Sequence, residues 1–161
     1  MFKKTVLSAL CTIGISSALF AQTAAKSMYV ELGGPGLASI NYDTRFTKKE
    51  GGIGGRIGLG YFSVDGERLL TVPIGINYLL SKDQRNYFEV GGGVTVVSYK
   101  SDYYDYYNDP STFTGTFGHL NFGYRLQPKN GGFMFRAAIT PVFGRDGFIP
   151  YYAGIAFGYK F

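Results

Sequence analysis

His119 is the only histidine of the 161-residue chain, and histidine is the side chain best suited to acid–base chemistry near neutral pH. Placed beside a serine, it would act as the general base of a hydrolase. No serine and no acidic residue stands at a spacing from His119 that indicates such an arrangement. We therefore expect a hydrogen-bonded interior histidine, and we keep catalysis by His119 as the alternative.

Aspartates alternate with pairs of tyrosines in the stretch SDYYDYYNDP, residues 101–110. Aromatic rings and carboxylates together can hold a sugar, a cation or a protein partner. Three aspartates do not guarantee the number and spacing of oxygen ligands that calcium needs, so we expect no metal. The alternative is an ordinary surface loop whose tyrosines lie at the level of lipid headgroups. The candidate binding residues are Asp102, Tyr103, Tyr104, Asp105, Tyr106, Tyr107 and Asp109.

Glycine clusters occur three times, as GGPG, GGIGG and GGGV, and could suggest a phosphate-binding loop. None of them is followed by a helical pattern or by the Lys-Ser/Thr pair that such a loop needs. We interpret them as places where side chains would be too crowded. The single cysteine, Cys11, lies in the leader described below, so the remaining chain has no disulfide and no cysteine metal site, and no cofactor is expected.

Strands must position these residues, because the chain after residue 21 alternates in steps of two and shows no helical period. Turn-like segments rich in Gly, Pro, Asn and Asp separate the strands. If GGPG at 33–36 is a turn the count is eight, and if it is a kink the count is seven. Pro73 and Pro141 fall inside strands, where we expect bulges or irregular ladders. The predicted strands cover residues 28–32, 38–46, 53–61, 70–80, 87–97, 118–126, 133–143 and 151–161.

The two faces of these strands need two different solvents. One face carries Leu, Ile, Val, Phe and Tyr, and the other carries Gly, Ser, Asn and charged residues. The small polar face fits the narrow lumen of a barrel whose apolar face meets lipid. Interior charges must pair, and we expect Glu31 to pair with Lys160 and Arg45, and Glu89 with Arg125. The alternative is a soluble barrel with the apolar face inside. The predicted interior polar network is Glu31, Arg45, Arg56, Glu89, Arg125, Arg136 and Lys160.

The first 21 residues are predicted to be a cleaved signal peptide, with Lys3 and Lys4 before an uncharged, mostly apolar run and small residues around Ala21. A retained membrane anchor is the less favoured alternative, because the apolar run is short for a spanning helix. Residues 22–161 then form one domain with no transmembrane helix. The formal net charge is +5, but the basic residues form no continuous run in the sequence, so we expect no nucleic-acid partner.

The end of the chain, YYAGIAFGYKF, resembles the C-terminal assembly signal of Gram-negative outer-membrane β-barrel proteins. The usual aromatic frame ends here at Tyr159, two residues before the terminus. The stretches YVELGGPG, VPIGINYLL and GGFMFRAAITPVFG resemble the small outer-membrane barrels of Bacteroidota. The resemblance implies insertion by the barrel-assembly machinery into the outer membrane. The residues that carry the signal are Tyr152, Gly154, Phe157, Tyr159 and Phe161.

We therefore predict an all-β fold, a single antiparallel up-and-down transmembrane β-barrel of eight strands, with both termini in the periplasm and the tyrosine-rich loop outside. We expect a monomer in contact with outer-membrane lipid, with a structural, surface-binding or complex-subunit role and an envelope protein as a candidate partner. Two alternatives stay open. One is a lipid-modifying enzyme using His119, as this fold class includes such enzymes. The other is a narrow pore, which a side-chain-filled interior disfavours.

Overall fold

The computed structural model describes residues 24–101, 112–145 and 147–161. The predicted signal peptide and the aspartate–tyrosine residues from Asp102 to Asp109 lie outside the described residues. Within the described residues there is no helix of the length and apolarity that a membrane crossing requires.

Strands make up nearly all of the described chain. In chain order they are β1 (Lys26–Gly33), β2 (Ala38–Arg45), β3 (Gly52–Val64), β4 (Glu67–Leu80), β5 (Asn86–Ser101), β6 (Thr112–Leu126), β7 (Gly132–Ile139), β8 (Val142–Gly144), β9 (Gly147–Ile149) and β10 (Ala153–Lys160). A single 3-10 turn, Gly34–Gly36, joins β1 to β2.

Eight of these strands close into one antiparallel barrel, which confirms the predicted fold class. Each strand from β1 to β6 pairs with the next, β7 pairs with β10, and β10 pairs with β1 through registers such as Val30↔Phe157. The short β8 follows β7 along β6 and forms a hairpin with β9. The 3-10 turn separates β1 from β2, so GGPG is a turn and the count of eight is correct.

The strands β3 to β6 are longer than the sequence predicts. A two-residue turn, Asp65–Gly66, joins β3 to β4, and both residues have positive φ, 48° and 85°. This is the backbone of the tight hairpin turn that Asp-Gly favours. The predicted strands 53–61 and 70–80 therefore stop short of this turn on both sides. At the same end of the barrel, β5 runs to Ser101 and β6 begins at Thr112, both beyond the predicted limits.

The two strand prolines interrupt hydrogen bonds without changing the register. Pro73 pairs with Thr95 of β5, while the ladder toward β3 skips from Ile57↔Ile74 to Gly60↔Thr71 at constant register. Pro141 separates β7 from β8, yet both pair with β6 in one register. The irregular ladders agree with the expectation, but neither proline forms a bulge. Proline lacks only the N–H group and keeps an extended backbone, so the register does not change.

The inside and the outside of the barrel have the reverse of soluble-protein polarity. Outward residues such as Val30, Ile57 and Phe157 are 50%, 51% and 46% exposed. Inward residues such as Glu31 and Arg136 are 0% exposed. The alternative of a soluble barrel with an apolar interior is therefore wrong.

Candidate functional site

Seven charged side chains form one continuous chain through the barrel interior, and cations alternate with carboxylates along it. Each of the seven is at most 4% exposed. Their order is Arg45, Asp43, Arg125, Glu89, Arg136, Glu31 and Arg56. Burying a charge is costly unless it is paired, and here every member has at least one partner of opposite sign.

Arg136 is at the centre of this charge chain. Its Nε lies 3.1 Å from both carboxylate oxygens of Glu89, its Nη1 contacts the carboxylate of Glu31, and its Nη2 donates to Asn121 Oδ1 at 3.2 Å. In the sheet, Arg136 is opposite Ala156 of β10, and Ala156 is opposite Glu31 of β1. Because Ala156 is small, the guanidinium can cross β10 and reach the carboxylate two strands away.

Asp43 holds the other half of the charge chain together. Arg45 Nη2 donates to Asp43 Oδ1 at 2.5 Å and to Asn77 Oδ1 at 2.5 Å, and Asn77 Nδ2 donates to Asp43 Oδ2 at 2.6 Å. Arg125 Nη1 lies 3.2 Å from the same Asp43 oxygen. The Arg45 guanidinium lies over Gly54, where an added Cβ atom would overlap Arg45 Cζ. Gly54 therefore provides the room in which this arginine folds back.

The charge chain has one more arginine than carboxylate, and Tyr29 contacts two of its arginines. Arg56 Nη1 donates to the Tyr29 hydroxyl at 3.5 Å, and Arg125 Cζ lies 5.9 Å from the centre of the Tyr29 ring. The second contact is within the range of a cation–π attraction. The Glu31 carboxylate also lies 3.5 Å from Arg56, so Glu31 joins Arg56 to Arg136.

The structure brings together six residues of the predicted network, namely Glu31, Arg45, Arg56, Glu89, Arg125 and Arg136. Glu89 lies 3.6 Å from Arg125, as expected. The predicted partners of Glu31 are wrong. Lys160 is opposite Ser27, about 13 Å along β1 from Glu31 at the usual rise per residue, and Arg45 is further still, because its N–H donates to Ala25 O.

Lys160 belongs to the mouth of the barrel and not to the charge chain. Its Nζ lies 2.7 Å from Glu50 in the β2–β3 connection and contacts the carbonyl of Lys129. Glu50, Asp43 and Asn77 are partners that were not predicted from the sequence. For Asp43 and Asn77 the inward position in the period-two pattern was an available signal, whereas nothing in the sequence marks Glu50, which lies in a loop.

His119 is fully buried in the wall of the lumen. It is opposite Gly93 of β5, and its Nδ1 lies 3.3 Å from the hydroxyl of Thr95, which is also fully buried. This arrangement satisfies one ring nitrogen and leaves no exposed surface on either side chain. Among the described residues no group of three or more His, Cys, Asp or Glu is placed to hold a metal ion.

The residues of the predicted assembly signal take three different positions. Gly154 faces inward opposite Gly33, and Tyr152 is half-buried just before β10. Phe157 and Tyr159 face outward, and the N–H of Phe161 donates to Lys26 O at 2.8 Å. The last of these bonds ties the C-terminal residue to the first strand.

Outward aromatic residues gather at the end of the barrel that carries Lys26 and Lys160, which we call the terminal end. The exposed members are Tyr42, Phe46, Tyr78, Phe88, Tyr124, Phe133, Phe157, Tyr159 and Phe161. Such a girdle is typical of a barrel at a membrane–water interface.

Solved structures with this barrel include the N-terminal β-barrel domain of Pseudomonas aeruginosa OprF, with a TM-score of 0.61 and 10% identity over 87% of this chain and 98% of that chain. The chain has the fold of the eight-stranded outer-membrane barrels. Yersinia pestis Ail, solved with the heparin analogue sucrose octasulfate, gives a TM-score of 0.53 at 10% identity over 86% of this chain and 97% of that chain. The outer-membrane protein Ail in a phospholipid nanodisc gives 0.50 at 11% identity over 87% of this chain and 99% of that chain. No protein-family model and no curated protein matches the sequence.

Proposed function

We propose that this chain is a small integral protein of a Gram-negative outer membrane, with a structural or binding role and no catalytic activity. The observation that carries this proposal is the apolar outer belt. On β4 the outward apolar residues run from Leu70 to Leu80, ten steps of about 3.3 Å, or about 33 Å of strand. At a strand tilt of about 40° this is about 25 Å of height, which matches the apolar band of membrane barrels.

The orientation follows from the strand number. An even number of strands places both termini on one side, and in bacterial barrels that side is the periplasm. The aromatic girdle of the terminal end then lies at the periplasmic interface. The tyrosine-rich stretch between β5 and β6 lies outside the described residues, and we propose that it faces the cell exterior and meets an envelope partner. The far end, marked by the Asp65–Gly66 turn, faces the same way.

The packing of the interior supports a closed barrel over a pore. The charge chain occupies the lumen with buried side chains, and the 3-10 turn Gly34–Gly36 is buried between the strands above it. Thr71 Oγ1 donates to Gly36 O at 2.9 Å and holds the turn in place. Eight-stranded barrels have interiors just wide enough for side chains. Planar-bilayer recordings are therefore expected to show no conductance.

The position of His119 supports a structural role over lipid modification. A catalytic base must reach the proton that it abstracts, and His119 and its contact Thr95 are both fully buried. We expect His119→Ala to leave the composition of the outer-membrane lipids unchanged. A change in acylation caused by this substitution would instead support the enzymatic alternative.

Insertion as a monomer by the barrel-assembly machinery is part of the proposal. It is supported by the resemblance of residues 152–161 to an assembly signal and by the closure of the sheet within one chain. The Bacteroidota character of the barrel and the cleaved signal peptide of residues 1–21 rest on the sequence resemblance and on the leader pattern.

Single tryptophans test the membrane placement, because the natural chain has none. Ile155→Trp reports from the outward face of β10, and Met134→Trp, a fully buried inward position of β7, is the matched control. In vesicles of brominated phospholipid we expect strong quenching of the first and little of the second. Folding of both is checked by heat-modifiable migration on a detergent gel. Strong quenching of Met134→Trp with none of Ile155→Trp would refute the placement.

A further inference from the structure

The polarity of the wall reverses at the far end of the barrel. From the row Gly54↔Asn77 to the row Gly60↔Thr71, inward positions of β3 and β4 are polar, glycine or proline, and outward positions are apolar except Gly55. In the next inward row, Phe62 of β3 is opposite Leu69 of β4, and Leu69 is opposite Tyr99 of β5. This inward row is therefore apolar, whereas in the next inward row Val64 is opposite Glu67 and Glu67 is opposite Ser101.

The outer face changes in the opposite sense at the same height. Ser63, Arg68 and Lys100 form one outward row across β3, β4 and β5. Strands β3 to β6 have 13, 14, 16 and 15 residues, whereas about 9–11 residues suffice to cross a membrane. The surplus at the far end thus has water outside and apolar side chains inside.

The reversed segment borders an open cavity. Its volume is about 470 Å³, and its wall includes Phe62, Val64, Leu69 and Tyr99, facing Leu37 and Tyr152. The 3-10 turn closes the space below, since Gly36 O is bonded to Thr71 and lies directly under Gly60. The cavity is therefore an open cup, and its volume is within the range of about 300–1,000 Å³ that is usual for small-molecule sites. We call it the apolar cup.

The side chains that line the apolar cup leave much apolar surface uncovered. Phe62 is 48% exposed, Val64 59% and Leu37 41%. On β3, β4 and β5 the outer row at this height is polar, so lipid tails do not reach Phe62 and Val64 from that side. A concave apolar surface of this kind marks a binding site more often than a monomer's ordinary exterior.

We propose that the apolar cup binds a neutral amphiphile, a small molecule with an apolar chain or ring and a hydroxyl or amide end. The apolar walls take the chain. At the opening, the Tyr99 hydroxyl hydrogen-bonds to the Glu67 carboxylate, and this pair can meet a polar donor of the ligand. Glu67 and Arg68 both line the cavity and their opposite charges offset each other, so the neutral hydroxyl of a fatty alcohol fits better than a charged head group. The inference rests on the proposed function only for the side of the membrane that the cup faces.

The experiment uses single tryptophans in nanodiscs and 12-bromododecan-1-ol as the quenching probe. Phe62→Trp reports from inside the apolar cup, and Ser63→Trp, the next residue on the opposite face, is the matched control. We expect quenching of Phe62→Trp to saturate at one probe per protein, while Ser63→Trp shows only the gradual quenching of probe dissolved in lipid. Val64→Trp serves as a second reporter if the larger side chain at position 62 fills the cup.

Specificity is tested by a charge placed on either face. In the Phe62→Trp background, Leu69→Glu should weaken probe binding at least tenfold, whereas Ser63→Glu should leave it unchanged. Equal quenching inside and outside, or no effect of Leu69→Glu, overturns the proposal. The proposal is also overturned if, without probe, the tryptophan of Phe62→Trp becomes more shielded from solvent as the protein concentration rises. That result would indicate a second copy of the chain as the occupant. The Ile155→Trp experiment with brominated lipid fails or succeeds independently of these results.

Discussion

Replacing Arg136 with methionine removes the cation shared by two of the interior carboxylates. Glu89 would keep Arg125 at 3.6 Å and Glu31 would keep Arg56 at 3.5 Å, both longer than the 3.1 Å contact between Arg136 and Glu89. Methionine fills a similar length without donating a hydrogen bond. Breaking a buried ion pair by removing one partner costs about 3–5 kcal/mol. We expect a loss of unfolding free energy in this range. A larger loss is prevented because Arg125 and Arg56 still pair with the two carboxylates.

The assay is reversible urea unfolding in lipid vesicles, followed by far-UV circular dichroism and by gel migration. With a urea slope of about 2 kcal/mol per M, the loss shifts the midpoint by about 2 M. Arg136→Lys keeps the charge but not the planar fork of donors, so we expect a smaller loss. Met134→Leu, at the neighbouring inward position of β7, is the packing control and should cost less than about 1.5 kcal/mol.

A triple variant separates the pairing of charges from the shape of the side chain. Adding Glu31→Gln and Glu89→Gln to Arg136→Met removes the carboxylates that the single change leaves under-paired. Replacing a whole buried ion pair by uncharged groups is often neutral, so at least half of the lost stability should return. Two results would refute the reasoning. One is a loss below about 1 kcal/mol for Arg136→Met, and the other is a triple variant no more stable than the single one.

Three further outcomes concern a loop, a glycine and the C-terminus. Hydrogen bonds from the Asn86 side chain and from following backbone N–H groups hold the pKa of Asp83 below its usual value. A depressed carboxyl pKa stabilises the turn above about pH 4, and this stabilisation is lost as the pH falls through the lower pKa of the folded state. Hydrogen-exchange protection of the Asn86 amide should therefore fall in acid. In D83A the protection should be low at every pH. At Gly123 an added Cβ would overlap a carbonyl oxygen of β7, so Gly123→Ala should lower the free energy of urea unfolding by about 1–3 kcal/mol. Gly92→Ala on the outward face is the control and should cost less, because its Cβ meets the flexible end of a leucine and a more distant carbonyl oxygen. Phe161→Ala, which keeps the backbone hydrogen bond to Lys26 O, should lower the fraction of barrel in outer-membrane preparations while refolding in vitro is unaffected.

Period-two alternation was sufficient to predict which side chains enter the lumen, but not which of them meet. Glu31, Arg56 and Arg136 occupy inward positions that the sequence alone assigns. Their contacts depend on the stagger between strands when the sheet closes, and no local pattern records that stagger. Lys160 shows the consequence, because it is on the strand next to Glu31 yet lies opposite Ser27.

The predicted strands ended where the polarity of the wall reverses. Residues 53–61 and 70–80 were assigned as strands, and the structure continues them through Phe62 and Leu69. Alternation identifies two faces, but the solvent of each face changes where the membrane ends. The alternation of apolar and polar residues that predicts each strand therefore ends at the membrane boundary, although the backbone pairing continues beyond it.

The 3-10 turn joins the two functional regions of the barrel. On its lower side, an added Cβ at Gly34 would stand 2.8 Å from Glu31 Cδ, so the turn packs directly on a carboxylate of the charge chain. On its upper side, the Gly36 carbonyl is bonded to Thr71, at the row where the polarity reverses. A buried turn whose glycines touch a paired carboxylate can be placed only once that carboxylate is held by its arginines. The charge chain therefore supports the turn that forms the floor of the apolar cup, and this closed floor favours the proposed binding surface over the entrance of a channel at the far end of the barrel.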